Sequence, residues 1–256
     1  MIWEWLCAIS MPTPPWARRM GFADEHVAIS ARASRCAAAW APHRARCADE
    51  VGRFVAALPR GGRVVALGAG LCDDLPLQGL LAHFDEVVLA DLVFSRALRS
   101  RRDLRCWTVD LLGLGLILDG LSPGAPLPAP PDLLPGLEPG DVLLSVNLLS
   151  QLADRPAGAL VRRGWSEAAV ADWAAAVVGA HLRLLKRHRA LLITDFEQQW
   201  IDPAAGLVER VDLLWGVDLG APEAEWPWRL APAPEAHPRW EEQRRVGRWT
   251  CGRMPP

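Results

Sequence analysis

The chain has no tyrosine and a single lysine, Lys186, yet its formal net charge at neutral pH is only −2. A near-neutral chain projects no broad positive field, so no nucleic-acid partner is expected. Arginine carries almost all the positive charge, alongside abundant Ala, Gly and Pro, a compositional bias without a functional message. The six cysteines (Cys7, Cys36, Cys47, Cys72, Cys106 and Cys251) form no CxxC pair and no finger-like spacing with histidine. That pattern speaks against a metal module and for buried free thiols in a reducing compartment. Long apolar runs are missing too. The opening MIWEWLCAIS carries Glu4, lacks a basic leader and soon meets Pro12, Pro14 and Pro15. It reads poorly as a signal peptide and is too short for a bilayer, and charges or prolines break every later run. A soluble cytoplasmic protein with no membrane partner is the expectation.

What is present suits a folded α/β chain. In 256 residues, 51% are apolar, enough for one large domain with an extra segment or two small ones. Residues 1–22 are rich in Trp and Pro and read as irregular, and Ala23 to Leu58 follows a helical pattern. Cys47, Val51, Phe54, Val55 and Leu58 fall on one stripe, and Pro42 is a candidate start for a second helix. Arg32, Arg35, Arg44 and Arg46 read as a solvated face, with Arg32 or Trp40 closing over a ligand as the alternative. Apolar runs follow at Val64–Leu67, Glu86–Ala90, Leu104–Val109, Asp141–Val146 and Ala190–Thr194, separated by helical stretches and by a Pro- and Gly-rich loop from Leu121 to Gly140. Ser166 is a candidate N-cap for the longest helical stretch, Ser166 to Arg187. Strand-like pieces at Leu207–Leu214 and Val246–Cys251 flank a loop holding Trp226, Trp228 and Trp240. Alternating strands and helices imply a parallel sheet with right-handed crossovers, and the late pieces an antiparallel edge.

In open α/β sheets a ligand sits beyond the carboxyl ends of the strands. Those ends are Gly68-Ala69-Gly70, Asp91, Asp110, Asn147 to Gln151, and Asp195, each polar or glycine directly after an apolar run. Asp91 follows Gly70 by 21 residues, where dinucleotide-type folds place an acid on the ribose hydroxyls. A dinucleotide fingerprint also needs Gly or Ala at its sixth position. Counted from Gly68 that residue is Asp73, followed by Asp74, two acids where pyrophosphate charge would lie. This disfavours NAD and FAD, and no GKS or GKT completes a Walker loop. Acids there suit a ligand carrying a cationic amine.

At this point the chain resembles the class I S-adenosylmethionine-dependent methyltransferases. VVALGAGLCDD is similar to their first motif, VVLADL to the second, WTVDL to the third and DVLLSVNLLSQL to the fourth-strand motif. GAGLCDDLPL, SVNLLSQL and LLITDFEQQWID also resemble a proteobacterial branch of that superfamily. The resemblance implies a Rossmann-like, doubly wound, mostly parallel seven-stranded sheet with one antiparallel edge strand. It implies a helical cap over residues 1–58 and a catalytic domain over 59–256. It implies S-adenosylmethionine as cofactor, with Gly68, Ala69 and Gly70 against the methionine moiety, Asp91 on the ribose, Asp110 at the adenine amine and Asn147 close to the transferred methyl. Ala66 stands where the family carries an acid and Cys72 where a third glycine is common. Asp73 or Asp74 is the candidate replacement for that acid, and Asp74 is equally a candidate cap for the helix opening at Pro76.

Methyl transfer needs orientation and exclusion of water more than covalent help, and a general base only where the acceptor must lose a proton. Asp195 is the candidate base and Gln151 the candidate orienting group for a small-molecule acceptor. His26 and His43 are alternative bases or structural residues, and no metal is expected. Trp200, Trp226 and Trp228 either line a pocket for an aromatic or cationic acceptor or fill the core and the terminal flaps. Two rival functions remain: a catalytically degenerate ligand- or partner-binding module, suggested by Ala66 and Cys72, and a nicotinamide oxidoreductase, disfavoured by Asp73.

Overall fold

The computed structural model describes residues 12–252; the opening segment with Cys7 lies outside the described residues. Three helices precede the sheet: α1 (Pro15–Arg19), α2 (Phe22–Arg35) and α3 (Ala37–Ala56). The irregular stretch expected up to residue 22 thus includes one short helix. The break between α2 and α3 falls at Cys36, and Pro42 lies inside α3 on its exposed side. Strands and helices then alternate as β1 (Arg63–Leu67), α4 (Leu77–His83), β2 (Glu86–Asp91), α5 (Arg96–Ser100), β3 (Arg105–Thr108), α6 (Gly115–Gly120) and β4 (Val142–Val146). After α7 (Asp154–Arg162) and α8 (Glu167–Lys186) come β5 (Arg189–Asp202), β6 (Gly206–Asp212), β7 (Ala224–Ala231) and β8 (Glu241–Cys251).

The first five strands pair in parallel in the order β3-β2-β1-β4-β5, with Val65 beside Val88 on one flank and Leu143 on the other. The inner strands β1, β2 and β4 are almost continuously apolar because both faces are covered, whereas the edge strand β3 is partly exposed. Val64 and Ala66 pack into a core with Val51 and Phe54 of α3, whereas Val65 and Leu67 pack into a second core with Val178, Leu184 and Leu185 of α8. Helix α8 begins where Ser166 accepts a hydrogen bond from the Ala169 N–H. By length and composition it alone among the described helices would cross a membrane, but half of its most apolar window is buried in the fold.

The sheet has eight strands, not seven, and its antiparallel part is larger than one edge strand. Strand β8 runs antiparallel between β5 and β7, and β6 pairs antiparallel with β5 alone. The extra strand arises because β5 does not stop at Asp195. A bulge between Asp195 and Glu197 interrupts the register and the strand runs on to Asp202, past its last pairing with β4 at Ile193. The freed edge takes β6. The expected loop around Trp226 and Trp228 is strand β7, whose Trp226, Trp228 and Leu230 alternate into the core beside α3. Pro227 hides that strand in the sequence and is tolerated because β7 lies at the sheet's edge.

The loop from Leu121 to Gly140 contains no helix or strand but is tied down. Trp165 and Trp173 donate their ring N–H groups to the carbonyls of Ala125 and Pro128, at 2.9 and 3.0 Å. Arg63 grips Asp141 through two hydrogen bonds of 2.7 Å at the start of β1 and β4.

Candidate functional site

The carboxyl ends of β1 to β4 and the bulge of β5 open into one cleft of about 540 Å³. Gly68, Ala69, Gly70, Asp73, Asp91, Asp110, Asn147, Gln151 and Asp195 all line it. Helix α2 forms another wall with Glu25, His26, Ile29 and Arg32, and Glu25 pairs with Arg155 of α7. Arg32 and Trp40 therefore do border the cleft, although Arg32 also lies 3.9 Å from Glu235.

Strand β1 ends because Gly68 turns the chain with φ of +72°, a conformation that disfavours residues with a Cβ. A Cβ at Gly68 would also meet the Leu148 side chain at 2.7 Å, and one at Gly70 would lie 2.4 Å from the Val93 carbonyl oxygen. The turn packs directly on the end of β2. The Gly70 N–H donates to Asp91 Oδ2 at 2.8 Å and the Val93 N–H to Oδ1 at 3.2 Å. Burial pushes the Asp91 carboxyl up to about 6, against the backbone N–H groups of Val93, Gly70 and Leu92. Each oxygen keeps a lone pair for a hydroxyl. Asp110 is more committed to the protein, accepting from the Leu112 N–H at 3.0 Å and the Gly115 N–H at 2.7 Å. Cys72 holds a φ of +59°, so the backbone keeps the glycine-like turn although the residue is not glycine. Its thiol donates to the Ala69 carbonyl at 3.2 Å and is pushed up to about 12, chiefly by burial. It is not a nucleophile.

Asp74 does not cap a helix. Pro76 occupies the N-cap of α4 with no side-chain cap, and Asp74 Oδ2 instead lies 2.8 Å from Asn147 Nδ2. Asn147 reaches it from a left-handed turn, φ +54°, at the end of β4. Asp73 pairs with Arg44 at 2.7 Å, and the Arg44 Nε lies 3.8 Å from Asp74 Oδ1, so Arg44 faces the cleft's acids and not solvent. Burial raises the Asp74 carboxyl above its ordinary value, with Asn147 and Arg44 opposing. The other polar atom of the Asn147 amide, Oδ1, is buried without a partner.

His43 is a core residue. Its ring stacks on Trp228 at 4.0 Å, accepts from the Trp226 ring N–H at 3.1 Å through Nδ1, and has Nε2 2.9 Å from Asn147 Nδ2. Burial, helped by Arg44, pushes it down to about 3. Cys47, His43 and Asn147 together have the composition of a cysteine-nucleophile site, but burial drives the Cys47 thiol far above its ordinary value. The thiolate is out of reach. His26 lines the cleft, with burial lowering its pKa and Asp73 opposing.

At the far end of the cleft Asp195 is buried, accepts a hydrogen bond from the Ser150 hydroxyl and pairs with Arg244 at 3.2 Å. Arg244 also holds Glu242. Gln151 donates to the Asn147 carbonyl at 3.0 Å, closing the turn after β4. Asp154, at the start of α7, keeps solvent contact in the cleft mouth. The protein crowded around it and the charge of Asp195 push its carboxyl up to about 6, against the pull of Arg244. Neither Asp154 nor Arg244 stands at a strand end, and that is why sequence reasoning passed over them. Trp228 borders the cleft, Trp226 is buried behind His43, and Trp200 packs edge-on to His237 outside the cleft lining.

No protein-family model matches the chain and no curated protein matches it. Among the described residues no group of three or more His, Cys, Asp or Glu is arranged to hold a metal ion. The functional reading therefore rests on the cleft itself.

Proposed function

We propose that the chain binds S-adenosylmethionine and transfers its methyl group to a small-molecule acceptor. One observation carries this reading: a glycine turn, an acid at the end of the next strand and an acid pair beyond the turn converge on a single cleft. The parallel strands grow outward in opposite directions from β1 and β4, and Gly68 lies at that switch, which supports a Rossmann-like, doubly wound architecture.

The cleft's chemistry fits such a cofactor. Gly68 and Gly70 let the turn pack closely on Leu148 and on the end of β2, with their N–H groups given to the Ala90 carbonyl and to Asp91, so the turn is a fixed floor to the cleft. Asp91 retains lone pairs for ribose hydroxyls. Asp73 and Asp74 offer a cationic amine two carboxyl groups, whereas Arg44, the cation beside them that a pyrophosphate would need, is already paired with Asp73. This weighs against a nicotinamide oxidoreductase. Asp74, facing the end of β4 through Asn147, is the proposed substitute for the acid absent at Ala66. When bound, S-adenosylmethionine supplies an electrophilic methyl on a sulfonium. The chain's own groups orient and shield: Asp91 and the turn hold the cofactor, and α2, pinned by Glu25 to Arg155, limits entry of water. Asp195, held by Ser150 and Arg244, is better suited to orient an acceptor than to take its proton. Asp154, with its carboxyl near about 6 and open to the cleft, takes the role of base where one is needed. The free Cys36, Cys47, Cys72, Cys106 and Cys251 support a reducing, cytoplasmic setting.

Titration calorimetry with S-adenosylhomocysteine tests the cofactor. Saturable heat is expected from wild type and none from a folded Asp91→Ala variant. No heat from folded wild type at high micromolar ligand overturns the reading. The engagement of Asp195 by Arg244 favours a second reading, a module that binds the ligand without catalysis. Cofactor binding without turnover over a broad acceptor panel would support it.

A further inference from the structure

His43 and Trp226 touch no ligand in the reading above, yet they belong to a closed run of hydrogen bonds whose donors can be counted. An indole N–H only donates. That of Trp226 points at His43 Nδ1 from 3.1 Å, so Nδ1 is the accepting nitrogen. Burial keeps the ring neutral, and its one proton is therefore on Nε2. This N–H requires an acceptor. Cys47 Sγ, at 3.5 Å, is a weak one, and the nearer atom, at 2.9 Å, belongs to the Asn147 amide. A half-turn of that amide about χ2 exchanges Nδ2 for Oδ1 with no other heavy atom moving. Either orientation leaves one end of the amide unpartnered, and only the turned one gives His43 a good acceptor. The amide oxygen then lies 2.8 Å from Asp74 Oδ2. Two oxygens that close share a proton, and Asp74 is the group able to carry it.

We propose that Trp226, His43 and Asn147 form a buried relay that holds Asp74 as a neutral carboxylic acid in the free cleft, and that an entering cationic amine replaces its proton. The second half rests on the methyltransferase reading, whose cofactor carries such an amine. The groups facing Asp74 are consistent with this. Arg44, 3.8 Å away, is already paired with Asp73 at 2.7 Å, and Asp73 itself is a like charge. From α3, His43 and Cys47 face it uncharged, from β4 the amide of Asn147, and His26 of α2 answers to Asp73. The unpaired charge that would fix Asp74 as a carboxylate is lacking among these neighbours. On binding, the Asp74 carboxyl gives its proton to the buffer and the carboxylate left behind pairs with the ammonium, one proton out for each cation in. His43 and Trp226 are thus positioning residues, acting through Asn147.

Solution NMR on the full chain decides the relay. The expected result is the Nε2–H tautomer of His43 and an Asp74 carboxyl carbon that titrates above the ordinary carboxylate range. His43→Phe keeps a ring against Trp228 but has no N–H. Asn147 is then free to donate to Asp74, and the Asp74 titration moves to lower pH. His43→Gln, which can still donate, restores it. A Nδ1–H tautomer in the wild type, or an Asp74 that ionises within the ordinary carboxylate range, overturns the relay even where a variant fails to fold. Calorimetry with S-adenosylhomocysteine in two buffers of different ionisation heat, between pH 5 and 7, reads the exchange. More proton release at the acidic end is expected from wild type than from Asp74→Asn, in which Asp91 can still lose a proton as it accepts from the ribose hydroxyls, and equal release from the two overturns the exchange. Binding with no proton released overturns the exchange; no binding at all overturns the cofactor reading, while the tautomer still decides the relay.

Discussion

Gly70 and Asp91 share one small space, and that sharing makes the turn intolerant of change. A methyl at Gly70 would meet the Val93 carbonyl oxygen at 2.4 Å and Asp91 Oδ2 at 2.9 Å, and backbone cannot yield as a flexible side chain can. Gly70→Ala is expected to cost about 1–3 kcal/mol in urea denaturation, as overpacking does. It should also abolish heat with S-adenosylhomocysteine in the calorimeter. At the other end of the cleft the base assignment has a kinetic signature. A carboxyl at about 6 must ionise before it accepts a proton, so kcat/KM for the acceptor, measured with the cofactor saturating so that Asp91 does not contribute, should rise through that pH. Asp154→Asn should lower activity by roughly 10²–10⁴-fold and remove the limb, whereas Asp195→Asn should keep the limb and move it to lower pH, because the charge that helps to raise Asp154 is gone. A limb that survives in Asp154→Asn sinks the assignment. Asp91 was legible in the sequence because its spacing from the glycine turn is a local property of one strand–helix–strand unit. Asp154 was not, because its raised pKa comes from the protein crowded around it in the fold and, secondarily, from Asp195 on β5, and neither is visible along the chain.

Among the elements, α3 carries an avoidable cost. Pro42 sits within the helix on a solvent-facing side, where it supplies no N–H to the ladder and has no packing role to compensate. Pro42→Ala should raise stability by about 1–3 kcal/mol in urea denaturation, within the helix-interior penalty of proline. No gain would mean that the helix has bent to fit the ring. The same residue misdirected the sequence reading, which started a helix at Pro42 when the break lies at Cys36. Strand β7 was missed for a related reason: Pro227 argues against a central strand, and only the sheet order shows that β7 is an edge. The capping role offered for Asp74 failed because Asn147, 73 residues along the chain, draws its carboxyl group away from the helix.

For the whole molecule, buried titrating groups set how stability responds to acid. His181 is fully enclosed beside Ser145, whose hydroxyl lies 2.9 Å from Nε2, and burial pushes it down to about 4. An unfolded histidine titrates near ~6.5. The unfolded chain therefore binds this proton more tightly, so the stability from a neutral His181 is present above ~6.5 and lost as pH falls toward 4. The loss is about 3 kcal/mol. Asp91 works in the opposite sense. Its carboxyl is raised to about 6 in the fold, so its contribution is greatest below the unfolded value and is lost as pH rises through 6. In urea denaturation from pH 7 to 4, His181→Gln should flatten the acid loss and Asp91→Asn should steepen it; equal slopes in all three proteins would contradict both assignments. By itself the sequence determined the five apolar runs, the glycine turn and the polar residue after each run. These are local consequences of burying both faces of a strand and of ending it at solvent. The tertiary structure decided what those residues are bonded to. His43 meets Asn147 across 104 residues and Trp226 across 183, and Asp195 meets Arg244 across 49. Strand order and crossover path set such distances, and neither periodicity nor spacing along the chain carries them.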